Sequence, residues 1–222
     1  MSIPTNVLII EQEPLIAHSI EEALNCIVKS QTEVTYIPKS VTNYELAFSE
    51  IKTSKHLNLV FLNLDISSIN NEKFKFINDL VALLKINSPR AQLLTLTSYQ
   101  DNYMIFDLIK TINPDSVLLK RDITFKDLIK AIENVINGIP HYSKTILRLL
   151  RSRISCDILL DKKDRLILYH LSKGVKTKDL PEHVFLSNSG IESRKRNLKL
   201  LFNVEHKGDR FLLEKAQMKG FI

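Results

Sequence analysis

The sequence predicts an α/β domain followed by a smaller all-α domain. Short apolar runs alternate with helical patterns through residues 1–138, and this alternation is typical of a parallel sheet covered by helices on both faces. After residue 158 the periodicity is helical alone. Charge divides the chain similarly: residues 1–140 hold 13 Lys+Arg and 16 Asp+Glu, whereas residues 141–222 hold 18 and 9. An acidic part joined to a basic part indicates a regulatory domain joined to a nucleic-acid-binding domain.

Five short apolar runs predict five parallel strands. The runs are Val7–Ile10, Val34–Ile37, Leu57–Leu62, Gln92–Leu96 and Val117–Leu119. Helical periodicity predicts helices at about 14–26, 42–51, 71–86, 101–110 and 124–137. In an open parallel sheet, functional residues collect at the carboxyl ends of the strands. Those ends carry Glu11, Gln12, Glu13, Asn63, Asp65, Thr97, Ser98 and Lys120.

Residues 5–138 resemble the receiver domain of two-component signalling, which has a five-stranded, flavodoxin-like fold. The segments that carry the resemblance are VLIIEQEPLI, LVFLNLDISS, QLLTLTS and SVLLKRD. The resemblance implies a pocket in which two acidic residues hold Mg²⁺ and an Asp accepts a phosphoryl group. A Thr or Ser and a Lys contact the phosphoryl oxygens in that family. The matching positions here are Glu11, Gln12, Asn63, Thr97 and Lys120.

Two of these positions depart from the receiver pattern. Asn63 stands at the acceptor position, and an amide cannot form an acyl-phosphate. Gln12 replaces the second acid, so Glu11 remains as the one anionic ligand. Because Mg²⁺ normally needs one or two carboxylates together with phosphate oxygens, we expect metal-assisted phosphorylation to be lost. A Lys120–Glu11 pair, with Lys120 also bonded to the Asn63 amide oxygen, would fill the pocket without a metal.

Asp65 is the obvious substitute acceptor. It lies two residues beyond Asn63, which is ~6.6 Å along a strand, and that distance carries it out of reach of Thr97 and Lys120. We therefore do not expect Asp65 to rescue phosphorylation. The sequence predicts a degenerate receiver, a pseudo-receiver that is fixed in one state or is switched by a protein or small ligand.

Residues 139–158 read as a linker that contains a helix. Gly138 and Pro140 end the preceding helix. The segment KTILRLLRSRIS then has Ile146, Leu149 and Leu150 on one face, with arginines on the others. This helix could pack on the first domain, pair with a second copy or lie near DNA phosphates, and the sequence does not choose among these alternatives.

Residues 159–222 have the order of a helix-turn-helix domain: a helix ending at Gly174, a short helix, a tight turn and a basic helix. Thr177 is predicted to cap the short helix, with Pro181 close to its first turn. Ser187 is predicted to cap the basic helix. The apolar stripe predicted for the basic helix contains Ile191, Leu198, Leu201 and Phe202, with Arg194 and Lys195 along its margins.

Residues 160–222 resemble the four-helix DNA-binding domain of NarL/LuxR-type response regulators. Gly174, Ser187, Ile191 and the closing Gly220-Phe221-Ile222 match that family, whereas Pro181 and Gly190 depart from it. The resemblance implies DNA contacts on the basic helix. Carried over by position, they are Ser189, Glu192, Ser193, Arg194, Arg196 and Asn197, with Lys195 and Lys199 near the DNA backbone.

The last predicted helix starts near Asp209 and has a stripe of Leu212, Leu213 and Ala216. The resemblance implies that this helix pairs two DNA-binding domains, which predicts a homodimer on a two-fold symmetric site. The alternative is that the stripe only closes the core of the domain.

Other classes of function find little support in the sequence. The two cysteines, Cys26 and Cys156, are far apart and read as free thiols in a reducing compartment. No ~18-residue apolar run or signal-peptide pattern is present. We predict a cytoplasmic transcriptional regulator that binds double-stranded DNA, is not an enzyme, and uses no cofactor or metal. Its first domain could bind a protein partner. The alternative is a protein-interaction adaptor whose helix-turn-helix has drifted.

Overall fold

The computed structural model describes residues 3–30, 34–54, 56–64, 71–98 and 101–222. The chain forms two compact units. The first combines Met1–Tyr99 with Leu108–Ile146, and the second combines Gln100–Asp107 with Leu147–Ile222. The predicted domain limits at residues 138 and 158 stay a prediction. Within the described ranges, none of the helices has the length and apolar character needed to span a bilayer.

The first unit is built on a six-stranded parallel sheet. Its strands are β1 (Ile3–Ile10), β2 (Val34–Val41), β3 (Leu59–Asn63), β4 (Gln92–Thr97), β5 (Ser116–Leu119) and β6 (His141–Tyr142). They lie in the order β2-β1-β3-β4-β5-β6, and each neighbouring pair is parallel. The α/β fold and the five predicted strands are therefore confirmed.

The sixth strand corrects the prediction of five strands. His141 and Tyr142 pair with Ser116 and Val117, inside the stretch predicted as a linker. The Ser143 amide then donates to the Val117 carbonyl at 3.0 Å. A two-residue strand is too short to produce an apolar run or a period-2 pattern, so it could not be predicted from periodicity.

Helices cover both faces of the sheet. They are α1 (Pro14–Ser30), α2 (Tyr44–Thr53), α3 (Asn71–Asn87), α4 (Asn102–Ile112) and α5 (Phe125–Ile136). Successive strand residues point to opposite faces. Val7 and Ile9 accordingly pack in the cluster with α1 and α5, whereas Leu8 and Ile10 pack in the cluster with α2, α3 and the end of α4. Burial on both faces explains why β3, β5 and the second half of β1 read as nearly unbroken apolar runs.

The remaining helices are α6 (Lys144–Ile154), α7 (Lys162–Ser172), α8 (Leu180–Val184), α9 (Asn188–Leu201) and α10 (Asp209–Met218). The helices α7 to α10 enclose one apolar core in the second unit. Its fully buried members are Ile167, Leu168, Leu180, Ile191, Leu198, Leu212 and Ala216. The order helix, short helix, turn, basic helix is the one that the sequence predicts. Leu212 and Ala216 of α10 close this core, as the alternative interpretation of their stripe expected.

The second unit confirms two predicted helix ends, and it corrects one predicted cap and one predicted core residue. Ser187 caps α9, its Oγ accepting the Gly190 amide at 3.2 Å, and Gly174 ends α7 with a φ of 83°. Thr177 does not cap α8: a 3₁₀ turn starts at Thr177 and α8 follows it without a side-chain cap. Leu201 is 37% exposed, because it lies about a quarter turn from the centre of the buried stripe.

Asp122 fastens the start of α6 to the end of β5. Its carboxylate accepts the Ser143 hydroxyl at 3.1 Å, the Thr145 amide at 2.7 Å and the Thr145 hydroxyl at 3.0 Å. Burial alone would raise the pKa of Asp122. The hydrogen bonds from Thr145 and Ser143 and the charge of Arg121 outweigh burial, so the pKa is lowered.

Replacing Asp122 with Asn should lower the free energy of unfolding by roughly 1–3 kcal/mol, because an amide cannot accept all three donors. Folding lowers the pKa of this carboxyl, so its contribution is complete above about pH 5 and disappears as the pH falls through the folded-state pKa. Urea denaturation at several pH values measures the difference. Asp79→Asn, an exposed carboxylate of α3, is the control, and equal effects of the two changes would contradict the expectation.

Candidate functional site

The carboxyl ends of β1, β3 and β5 bring three predicted residues together. Glu11, which is 4% exposed, follows β1 and accepts the Asn63 side-chain amide at 2.5 Å through Oε1. Its other oxygen, Oε2, lies 3.4 Å from Lys120 Nζ. The predicted pair of Glu11 and Lys120 is therefore present. The predicted bond between Lys120 and the Asn63 amide oxygen stays a prediction.

Glu13, which is predicted at this strand end but not among the pocket residues matched to the receiver pattern, also belongs to this cluster. Its carboxylate lies 2.7 Å from Lys120 Nζ, and its backbone amide donates to Glu11 Oε1 at 3.0 Å. The Lys120 ammonium thus lies between one buried and one exposed carboxylate. Glu13 also follows β1, two residues after Glu11, so its place in the sequence was the available signal.

The rest of the pocket wall comes from β4 and α2. Thr97, 2% exposed, ends β4 beside Leu119, the residue before Lys120. Tyr44, at the start of α2, donates its hydroxyl to the Asn63 carbonyl at 2.7 Å. Gln12 is exposed, and Asp65 lies outside the described residues. No cluster of three or more His, Cys, Asp or Glu suited to a metal ion occurs in the part of the chain that the structure describes.

The second candidate site is the helix α9. Its buried residues are Ile191, Lys195 and Leu198, and these hold the helix against the core of the second unit. The exposed side chains among the predicted DNA contacts are Ser189, Glu192, Ser193, Arg196 and Asn197. The helix therefore presents a continuous polar row to solvent, in which Arg196 supplies a positive charge.

The Arg194 side chain contacts the start of α7 instead of extending into solvent. Its Nη1 lies 2.7 Å from an oxygen of Asp161 and 2.7 Å from an oxygen of Asp164. Asp161 also caps α7 by accepting the Asp164 amide at 2.8 Å. Burial would raise the pKa of Asp161, but the hydrogen bonds from the Asp164 amide and Arg194 outweigh it, and the pKa is lowered. Arg194 thus joins α9 to α7.

Lys195 and Lys199 both face a single carboxylate, that of Asp209 at the start of α10. Lys195 is 8% exposed, so its prediction at the margin of the stripe is wrong: it occupies the stripe itself. Its Nζ donates to Thr177 Oγ1 at 2.7 Å and lies 2.8 Å from Asp209 Oδ2. Lys199 Nζ lies 3.0 Å from Asp209 Oδ1.

The carboxylates that receive these cations, Asp161, Asp164 and Asp209, were missed as functional positions. Each lies at or near a helix start, within a basic part of the chain. That placement is a weak signal of function, because acidic residues in a first helical turn are ordinary helix-dipole partners. Their pairing with α9 depends on tertiary packing.

Comparison with known proteins supports the fold. No family model matches the chain, and no curated protein gives a significant match to its sequence. A structure of two RcsB dimers bound to two parallel DNAs superposes with a TM-score of 0.58 and 16% identity, covering 97% of this chain and 99% of that one. RcsB from Salmonella enterica serovar Typhimurium, bound to a promoter, gives a TM-score of 0.60 and 18% identity, covering 96% and 98%.

The first unit has a separate counterpart. The isolated receiver domain of RcsB from the same organism superposes with a TM-score of 0.50 and 15% identity, covering 66% of this chain and 98% of that chain. At such identities the likeness establishes the fold. The chain has the fold of a receiver domain followed by a helix-turn-helix domain.

Replacing Arg194 with Ala should destabilise the second unit by roughly 1–3 kcal/mol, since Asp164 would keep a largely buried carboxylate without its cation. The effect stays below that of a fully buried pair, because the Arg194 side chain is 32% exposed. Thermal unfolding followed by circular dichroism measures the loss. Arg196→Ala, an exposed arginine on the same helix, is the matched control and should change stability by less than about 0.5 kcal/mol. Similar melting of both variants would contradict the structural role of Arg194.

Proposed function

We propose that this chain is a DNA-binding transcriptional regulator of the two-component response-regulator type. The observation that carries the proposal is the exposed polar row of α9, formed by Ser189, Glu192, Ser193, Arg196 and Asn197. This row belongs to a helix-turn-helix in the basic part of the chain. Two of the structures with the same fold are RcsB bound to DNA, which supports the same use of the fold here.

The side chains of the row have the chemistry of direct base readout in the major groove. Arg196 can donate to both guanine acceptors, Asn197 can pair with adenine, and Glu192 can accept from the cytosine amino group. Ser189 and Ser193 can donate to phosphate or base edges. In this proposal Arg194 acts mainly as a structural residue, because its guanidinium already contacts Asp161 and Asp164.

A homodimer on a two-fold symmetric site is part of the proposal. The RcsB structure with two parallel DNAs contains dimers, and two-fold symmetry is the commonest arrangement for regulators of this architecture. Leu212 and Ala216 are used in the core, so a pairing surface on α10 would have to use its exposed side chains. Phe211 and Met218, 47% and 77% exposed, are the large apolar ones.

We infer that the first unit acts without phosphorylation. The Mg²⁺ of a receiver pocket requires oxygen ligands, but the buried Glu11 carboxylate faces the Asn63 amide N–H group and the Lys120 ammonium. The second carboxylate of the cluster, Glu13, is exposed and already pairs with Lys120. A site with one buried carboxylate and two opposing hydrogen-bond donors does not fit the metal. The pocket would therefore be a fixed, metal-free network, and the first unit would respond to a protein or small ligand if it is switched.

A second candidate function, a protein-interaction adaptor, is favoured by one observation on the same helix. Leu200 and Leu201 at the end of α9 are 56% and 37% exposed, and exposed apolar side chains suit a protein partner better than phosphates. The two departures from the family pattern give the adaptor less support. Pro181 lies in the first turn of α8, and a Cβ at Gly190 would come 3.3 Å from the capping Ser187 Oγ, so both residues fit the helix-turn-helix.

Selection of random-sequence duplexes by the purified protein, repeated at two salt concentrations, should enrich one motif. Arg196→Ala should weaken binding to that motif by about 1–3 kcal/mol and relax the preference at one base pair. Arg210→Ala, which changes an exposed arginine of α10, is the matched control. Weak binding without sequence preference would overturn the proposed function and favour the adaptor.

A small phosphodonor with Mg²⁺ should leave no hydroxylamine-sensitive label on the wild-type protein, because no carboxylate stands at position 63. Asn63→Asp should lower the melting temperature without metal, since two carboxylates would then meet where Asn63 and Glu11 are 2.5 Å apart. Mg²⁺ should recover part of that loss in the variant alone. A labelled wild-type protein, through Asp65 or any other residue, would contradict the metal-free pocket.

A further inference from the structure

One carboxylate of α10 engages two cations of α9. The Asp209 oxygens lie 2.8 Å from Lys195 Nζ and 3.0 Å from Lys199 Nζ. The side chain of Lys195 is 9% exposed, that of Lys199 is 20% exposed and that of Asp209 is 37% exposed. Burial would raise the pKa of the Asp209 carboxyl, but the hydrogen bonds and charges of the two lysines outweigh it, so the pKa is lowered and Asp209 is ionised at neutral pH.

The two lysines differ in how firmly they are held. Lys195 is buried, and its ammonium also donates to the Thr177 hydroxyl, so it has two polar partners inside the unit. Lys199 lies one helical turn further along α9, is more exposed, and has Asp209 as its carboxylate partner. Of the two, Lys199 is the cation that would reach outward if the Asp209 charge were removed.

These pairs leave most cations of the basic helix α9 neutralised within the second unit. Arg194 pairs with two aspartates of the α7 start, and the lysines pair with Asp209. Arg196 has no ion pair within the described ranges. Sequence-independent affinity for DNA depends on cations that neutralise phosphates, whereas sequence is read at base edges. A helix whose cations are mostly neutralised by its own protein loses sequence-independent affinity for phosphates but can still read base edges.

We propose that Asp209 is a positioning residue for specificity: it holds Lys195 and Lys199 away from the DNA backbone, so that α9 meets DNA through Arg196 and its uncharged or acidic neighbours. This inference rests on the proposed DNA-binding function. It assigns to α10 a role in discrimination between sequences, and it departs from the family resemblance, which places Lys195 and Lys199 near the DNA backbone.

The test compares salt dependence. In Asp209→Asn, Lys199 gains freedom to contact a phosphate, so the slope of log affinity against log salt should steepen by about 0.9, the value of one additional phosphate contact. Binding to random duplexes should strengthen and the ratio of specific to random binding should fall. Asp209→Glu retains the carboxylate and is the matched control, with the wild-type slope expected.

Lys199→Ala completes the design. Alone it should leave the salt slope unchanged, and combined with Asp209→Asn it should return the slope to the wild-type value. A purely structural role for Asp209 would weaken binding to all duplexes without steepening the slope. Circular dichroism melts verify folding of every variant. If Asp209→Asn fails to fold, Lys199→Ala alone decides, and a slope reduced by about 0.9 in that variant overturns the proposal.

The outcomes separate this inference from the function on which it rests. Wild-type protein without salt-dependent duplex binding would overturn both. Wild-type protein that binds a motif specifically, with the same slope in Asp209→Asn and Asp209→Glu, would overturn the role of Asp209 alone and leave the regulator intact.

Discussion

A charge taken out of water is stabilised by an opposite charge, and pairs of this kind occur in both units. Transfer of an unpaired ion into a protein interior costs several kcal/mol, more than most single contacts return. In the first unit, Glu11 and Lys120 form such a pair at the strand ends. In the second unit, the largely buried Asp164 pairs with Arg194, and the buried Lys195 pairs with Asp209. Both candidate sites therefore contain pairs of opposite charges that stabilise the fold around them.

Asn63 changes how charge is balanced in the pocket. A third carboxylate beside Glu11 would repel it and would call for a divalent cation. The amide instead donates to Glu11 at 2.5 Å, so Lys120 faces one buried carboxylate, that of Glu11, and the exposed carboxylate of Glu13. In the second unit the carboxylates have another role, because their ion pairs orient α9. Arg194 is held toward α7, and Lys195 and Lys199 toward α10, so the exposed row has a defined direction.

Periodicity predicted the strands and helices well, because buried parallel strands and amphipathic helices carry strong patterns. Glu11, Asn63 and Lys120 could be grouped from sequence since the ends of neighbouring parallel strands meet at one edge. The sequence could not identify Asp209 as the partner of Lys195, because the two residues lie on different helices. A lysine is also expected at the surface, so its burial in the apolar stripe was not predicted. His141–Tyr142 was missed because two residues have no period. Hydrophobic periodicity does not predict interactions that depend on tertiary packing.

The short strand β6 also affects how copies of this chain can associate. An exposed sheet edge is a template for strand addition and aggregation. At one edge of this sheet stands β6, two residues long and directly preceded by Pro140. At the other stands β2, which contains Pro38 and the exposed Lys39. Proline lacks the amide donor and lysine resists burial, so both edges oppose edge-to-edge stacking. Growth of this sheet by addition of strands from a second copy is therefore disfavoured at both edges.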